Sequence, residues 1–467
     1  MDTTTDFVRQ HHHQITNKMN RREKPHPFSQ QFEILSRNRL RRRVTSSAVW
    51  SSRSAKAAKR IGLLGLLLGG LTVSKPLPAA TRDEALYARS EHYRSEAVQL
   101  LERLVNIDTG TGDEKGLDQV VEILTGELGQ LGANIQLIPS TPMAGKNVVA
   151  SFTGTGKGRV LLIAHMDTVF KVGTASERPF RIENGRAYGP GVCDDKGGIV
   201  VGLYVLKILH DLDFKNFATI TLMLNTNEEL GSIGSRQLIE SLARKHDVAF
   251  NLEAGRVGDK LVIWRKGAGV IEVTVKGKAS HAGNAPELGR NAAMEVAHQM
   301  LQISKLADPA KLTSVNFTVV QSGDRENVIP DLAVAKADVR VVTSDEFSRV
   351  ERDLVEAVKN KLIPETQVTA TFTRNFPPLP RNKATESLAA QAQRLYAELG
   401  RTLGAEGAGG AADSGYSAGA GTPSLDGLGI VGGGGHSPDE FADLESIAPR
   451  FYLLARLVME AGKGKQE

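Results

Sequence analysis

Four short apolar runs constrain this chain most: Val160–Ala164 (VLLIA), Thr219–Leu224 (TITLML), Val248–Leu252 (VAFNL) and Leu428–Val431 (LGIV). None alternates apolar with polar residues. Strands of this kind are buried on both faces, as in a mostly parallel sheet covered by helices on each side. Helical spacing lies around them. Ala85–Asn106 carries an apolar stripe of Leu100, Leu101, Leu104 and Val105, and Leu117–Leu131 stops at Gly132. Ile199–Leu212 and Ser232–Lys245 also read as helices. The fold class is α/β.

Between residues 270 and 376 the pattern changes. Ile271, Val273 and Val275 alternate with polar neighbours, as do Val315, Phe317 and Val319, and more loosely Val334 and Val339–Val341. Two amphipathic helices, Asn291–Leu306 and Ser344–Leu362, lie between these runs. That predicts a small antiparallel α+β unit, with helices on one face, inserted into the larger domain. A chain of 467 residues exceeds one ordinary core. The expected organisation is an N-terminal extension over 1–80, a main domain over 81–266 and 377–467, and an inserted domain over 267–376. The stretch 405–420 (AEGAGGAADSGYSAGA) reads equally as a low-complexity linker or as a glycine-rich site loop.

Charge is unevenly spread. Residues 1–80 hold 15 Lys+Arg against 4 Asp+Glu, leaving 43 against 49 in the rest. The folded part is acidic, so the formal net charge of +5 is no argument for nucleic acid as a partner. Within the extension, Arg53, Lys56, Lys59 and Arg60 precede the apolar run Ile61–Val73, and Pro76–Ala80 (PLPAA) follows. That order reads as a secretory signal, and the run is shorter than the ~20 residues of a membrane span. The expectation is a periplasmic or secreted protein with no stable membrane span once the signal is removed. A retained anchor is the alternative, and Met19 is an alternative start. The His11–His13 triplet belongs with the polar tail rather than with a metal site. The single cysteine, Cys193, excludes an internal disulfide and a cysteine-rich zinc finger.

Each apolar run ends in a polar cluster, where an open α/β sheet builds its site. After the first come His165 and Asp167, after the second Glu228 and Glu229, after the third Glu253, and after the fourth a glycine run and His436. The pair Asp194-Asp195 precedes a helix. Singly these residues have ordinary readings, a hydrogen-bonded strand-end histidine or a helix-capping acid. Jointly, nitrogen and oxygen donors on one sheet edge suit zinc, cobalt or manganese. With one bridging carboxylate, five ligands can hold two ions ~3.5–4 Å apart. His165 can bind metal while Asp167, two residues on, holds its other ring nitrogen.

The segments HMDTVF, YGPGVCDDKGG, NTNEELGSIGS, GKASHAGNAPELGRNA and GGGGHS, in this order from about Leu101 to Lys463, resemble the co-catalytic dizinc exopeptidases. That family includes glutamate carboxypeptidase, aminoacylase and succinyl-diaminopimelate desuccinylase, and the likeness is greatest to bacterial folate-hydrolysing glutamate carboxypeptidases. The resemblance implies a zinc-exopeptidase catalytic domain, with the inserted domain serving dimerisation. It implies two Zn2+ per subunit, with Co2+ or Mn2+ as substitutes, held by His165, Asp194, Glu229, Glu253 and His436. The family pattern D-x-K, fixed here by Lys196, selects Asp194 over Asp195 as the bridge and implies a cis peptide after it. Glu228 matches the general base and Asp167 the residue that orients His165. His281 matches a histidine that reaches the active site of the other subunit of a homodimer. Asn327 and Arg340 match positions near the substrate carboxylate, and a surface ion pair is the plain alternative for Arg340.

The implied reaction is hydrolysis of the amide bond to a C-terminal amino acid, glutamate first, in an N-acyl, peptide or folate-like substrate. The partner is a small molecule or peptide with a free carboxylate. An aminoacylase or dipeptidase of other specificity is the alternative within the class, and an inactive binding or scaffold homologue the alternative outside it. No G-x-S-x-G elbow occurs, which disfavours a serine hydrolase. Cys193, beside the bridge, reads as a packed small side chain. Gly409–Ser414 (GGAADS) matches the family's G-G-T-D-A loop only loosely, which bears on substrate preference more than on metal.

Overall fold

The computed structural model describes residues 81–464, so the expected signal and the basic extension lie outside the described residues. The main sheet has six strands in the order 134–139, 146–153, 219–225, 159–165, 248–251, 424–425. The first two pairings are antiparallel, and the three about Arg159–His165 and Val248–Asn251 are parallel. Successive side chains of a strand face opposite ways. Leu162, Leu222 and Phe250 therefore join a large core beneath the helices Glu114–Gln130, Lys196–Asp211 and Ile447–Gly462, while Leu161, Ile163, Met223 and Ala249 pack on the other face with Ile239, Ala243 and Tyr416. Burial on both faces is why these runs lack alternation.

Residues 267–376 build a second, four-stranded antiparallel sheet in the order 314–322, 332–341, 267–276, 367–376. Ile271, Val273 and Val275 turn one face onto Val296 and Ile303 of the helix Ala292–Ile303 and onto Phe347, Val350 and Leu354 of Ser344–Ala357. Asn291 caps the first of these helices, accepting from Ala293 N at 3.0 Å and Met294 N at 3.1 Å. No helix among the described residues is long and apolar enough to cross a membrane.

Two expectations are corrected, and one open alternative is decided. Leu428–Val431 is not the last buried strand. Gly427 turns with φ +73, and the strand beside Val248–Asn251 is Ser424–Leu425, just upstream. The helix expected over Ala85–Asn106 is two helices, Glu84–His92 and Arg94–Val105. The stretch 405–420 is not a low-complexity linker: Gly404–Ala408 pairs in parallel with Lys260–Arg265, and Ser414–Gly419 is helical.

Candidate metal centre

Three parallel strands deliver side chains to one edge. His165 ends the central strand in register with Asn225, which ends its neighbour, and Asn251 leads two residues on to Glu253. Asp194 stands just before the helix Lys196–Asp211, and the Asp194–Asp195 peptide is cis. The helix can sit this close because Gly198 has no Cβ: one there would lie 2.1 Å from both Asp195 Oδ1 and the Leu252 carbonyl. His436 follows the glycine run in the left-handed region, φ +63. That conformation costs a non-glycine residue ~1–2 kcal/mol, and here it turns the imidazole back onto the acids.

The two histidines stand on opposite oxygens of one carboxylate. His165 Nε2 lies 3.1 Å from Asp194 Oδ1, and His436 Nε2 lies 3.2 Å from Asp194 Oδ2. Glu253 Oε1 is 3.6 Å from His165 Nε2, and Glu229 Oε2 is 3.1 Å from His436 Nε2. By these shortest contacts the five residues form two halves sharing Asp194, with Glu229 between them, since its donor atom also lies within 4.8 Å of those of His165 and Asp194. Donor atoms of His165, Glu228 and Glu253 also come within 4.8 Å of one another, so Glu228 stands on the His165 side.

The electrostatics follow from crowding acids out of water. Burial pushes the Glu228 carboxyl well up and Glu229 up, and it takes Glu253 up to about 7 against the opposing pull of Arg265. Burial would raise Asp194 as well, but hydrogen bonds from His165 and His436 hold it well below the usual carboxylate range. The same bonds from Asp194 and Glu229 lift His436 to about 10. Glu229 Oε1 is buried with no hydrogen-bond partner among the described residues. An acid-rich site with two imidazoles, a carboxylate facing both and an unpartnered carboxylate oxygen fits two divalent cations.

Asp167 contacts more than the His165 imidazole. His165 Nδ1 lies 3.0 Å from the Asp167 backbone oxygen and 3.4 Å from its carboxylate. The carboxylate itself accepts from Glu228 N at 3.0 Å, Glu229 N at 3.2 Å and Thr111 Oγ1 at 2.7 Å. It therefore fixes the turn that carries both glutamates. Asp413 holds the same turn from its other end, accepting from Ser232 Oγ at 2.5 Å and from Asn225 Nδ2.

Sequence reasoning missed four supports. Glu440 accepts from the backbone N–H groups of Gly191, Cys193 and Asp194 at 2.9–3.1 Å and so places the Asp194 loop. Its position four residues after His436 was the available signal. Arg265 is buried and donates to Glu253 at 3.1 Å and to Asp426 at 2.7 and 3.0 Å. Asp413 was noticed only as part of a loose loop match. Arg265 and Asp426 carry no local signal. Cys193 is buried, and burial pushes its thiol well up, which keeps it protonated and inert.

The remaining expected residues divide. Arg340 lines the cavity of about 560 Å³ that opens on Asp194, Glu228, Glu229, Glu253 and His436. Its Nε donates to both Asp338 oxygens, at 3.1 and 3.0 Å. Asn327 and His281 do not line that cavity. They sit together on an exposed ribbon where Ser280–His281 pairs with Val328–Ile329 and Ala282 N donates to the Asn327 carbonyl. His281 Nδ1 accepts from the Gly283 and Asn284 amides, each at 3.1 Å, which puts the proton of the neutral ring on the outward Nε2.

Residues 161–460 match the model of peptidase family M20/M25/M40. The chain is 39% identical over 391 residues to carboxypeptidase G2 of Pseudomonas sp. (strain RS-16), covering 83% of this chain and 94% of that one. It is 27% identical to acetylornithine deacetylase of Buchnera aphidicola, covering 56% of this chain and 73% of that one. Among solved structures, aminopeptidase PepT of Bacillus cereus shares the fold with a TM-score of 0.65 at 21% identity, covering 79% of this chain and 98% of that one. An M20 metallo-carboxypeptidase of Sulfolobus solfataricus gives a TM-score of 0.62 at 19% identity, covering 79% and 99%.

Proposed function

The chain belongs to peptidase family M20/M25/M40, and we propose that it is a dizinc carboxypeptidase releasing a C-terminal amino acid, glutamate first, from N-acyl, peptide or folate-like substrates. One observation carries the reading: the Asp194 carboxylate offers one oxygen to the His165 half of the site and the other to the His436 half, with Glu228 alongside. His165 and Glu253 would hold one ion, His436 and Glu229 the second, with Asp194 shared. Zinc, or cobalt or manganese in its place, supplies a Lewis acid and lowers the pKa of bound water.

Glu228 takes the proton from the attacking water and returns it to the leaving amine nitrogen. Burial supports the first half of that task, because it raises the basicity of the carboxylate. Asp167 keeps the base in place through the Glu228 and Glu229 amides. The Nη edge of Arg340 is left to pair with the α-carboxylate of the substrate while Nε stays on Asp338. His281 and Asn327, being exposed and off the cavity of their own chain, act from a second copy in a homodimer formed through the inserted domain. There His281 Nε2–H donates to the developing oxyanion. The basic, apolar, small-residue order before residue 81 supports export to the periplasm or beyond.

A deacylase with another side-chain preference is the second reading. Asp338 favours it, since this acid beside Arg340 reduces the positive potential of the cavity. A panel of N-acyl amino acids and a folate, assayed for free amino acid with and without chelator, tests both. Chelator-sensitive release of glutamate supports the first reading, and release only of other residues supports the second. No release from any member leaves the binding or scaffold alternative.

A further inference from the structure

Three guanidinium groups line the cavity: Arg256, Arg265 and Arg340. Two have work within the protein. Arg265 is closed in by Glu253 and Asp426, and Arg340 has its Nε on Asp338. Arg256 is different, because its side chain makes no hydrogen bond or ion pair with any described residue. Yet its backbone is held on every side. Gly255 N donates to the Ile430 carbonyl at 2.9 Å and Gly432 N to the Gly255 carbonyl at 3.0 Å. Arg256 N donates to the Lys260 carbonyl at 3.0 Å, and Lys260 N returns a bond to the Arg256 carbonyl at 3.2 Å. That closes a tight hairpin whose tip needs positive φ at Gly258 (+81) and Asp259 (+60).

A rigid backbone presenting an uncommitted guanidinium three residues past Glu253 is poised to bind an anion. Arg340, with one edge taken, can hold a single carboxylate. A ligand bearing a second carboxylate would meet Arg256 across the same cavity. We infer that Arg256 recognises the side-chain carboxylate of the leaving amino acid, so that the site selects N-acyl conjugates of acidic residues over their neutral isosteres. This rests on the carboxypeptidase reading and adds to it the residue that sets preference.

The test is the ratio of kcat/KM for an N-acyl glutamate to that for the matching N-acyl glutamine, measured on full-length zinc-loaded protein. In the unaltered chain the ratio is expected to favour glutamate. Arg256→Gln should lower it by about 10- to 100-fold, the worth of one charge-assisted hydrogen bond, with the loss in KM more than in kcat. Arg256→Lys should keep part of the preference, and Arg256→Glu should shift it toward N-acyl lysine. A glutamate-to-glutamine ratio unchanged within twofold in all three variants would overturn the inference and make Arg256 a solvated surface arginine. So would an unaltered chain that treats the two substrates alike. Failure to release any amino acid sinks the carboxypeptidase reading itself, and shows before any variant is made.

Discussion

Glu346 in the inserted region and Glu228, Glu229 and Glu253 at the ends of the main sheet are all acids drawn out of water, yet their surroundings move them in opposite directions. Arg349, Lys311 and Thr313 close on Glu346 at 2.8–2.9 Å and hold its carboxyl down at about 2. At the main site burial dominates and pushes the three glutamates up, with only Glu253 reached by an arginine. The inserted region neutralises its own charge. The sheet edge keeps more acidic groups than cations to pair them, and backbone supports such as Glu440 on the Asp194 loop hold them in place. Structure that is complete in itself satisfies its buried charge; a site awaiting a cation does not.

The contrast breaks most sharply at Glu228. Glu228→Gln should lower kcat by about 10²- to 10⁴-fold while bound metal, measured by mass spectrometry after dialysis, stays at the unaltered level. Turnover within tenfold of the unaltered enzyme would remove the base from the account. Asp413→Ala comes next. Asn225 and Ser232 would lose their common acceptor, and the Glu228–Glu229 turn would relax. A loss of about 10- to 100-fold in kcat is expected, with metal content and melting temperature reported beside it. A melting temperature that falls while kcat per folded chain holds would reduce Asp413 to a structural role.

The smallest effect sharpens the other side. The Glu346 carboxyl is lower folded than unfolded, so its stabilisation is fully present above the usual glutamate pKa and fades as pH falls through about 2. Glu346→Gln should therefore cost about 1–2 kcal/mol near neutrality, seen by denaturant unfolding, and nothing at the acid end. Its turnover per folded chain should be unchanged. A deficit that persists at low pH would mean that packing, not charge, holds this corner.

Much of the frame was legible because burial on both faces leaves a simple trace. VLLIA, TITLML and VAFNL are strands for that reason, and their polar ends mark the site edge. LGIV failed because composition is blind to what glycine does: Gly427 turns the chain with φ +73, and a Cβ at Gly429 would lie 2.0 Å from the Leu252 carbonyl. The residues that the structure gathers around Asp194 were legible through motif order. Their supports were not, because Arg265 meets Asp426 across 161 positions and Glu440 meets Gly191 across 249. Such pairs are set by the tertiary fold, and no local period encodes them. Asp167 was found, but its carboxylate's hold on the Glu228 and Glu229 amides depends on a turn that only the structure displays.

The central claim is a pair of ions sharing Asp194, and anomalous scattering from zinc-loaded crystals tests it most directly. The account predicts two peaks ~3.5–4 Å apart, one beside His165 and Glu253, the other beside His436 and Glu229, both in contact with the Asp194 carboxylate. A single peak, or two that do not share Asp194, would contradict it.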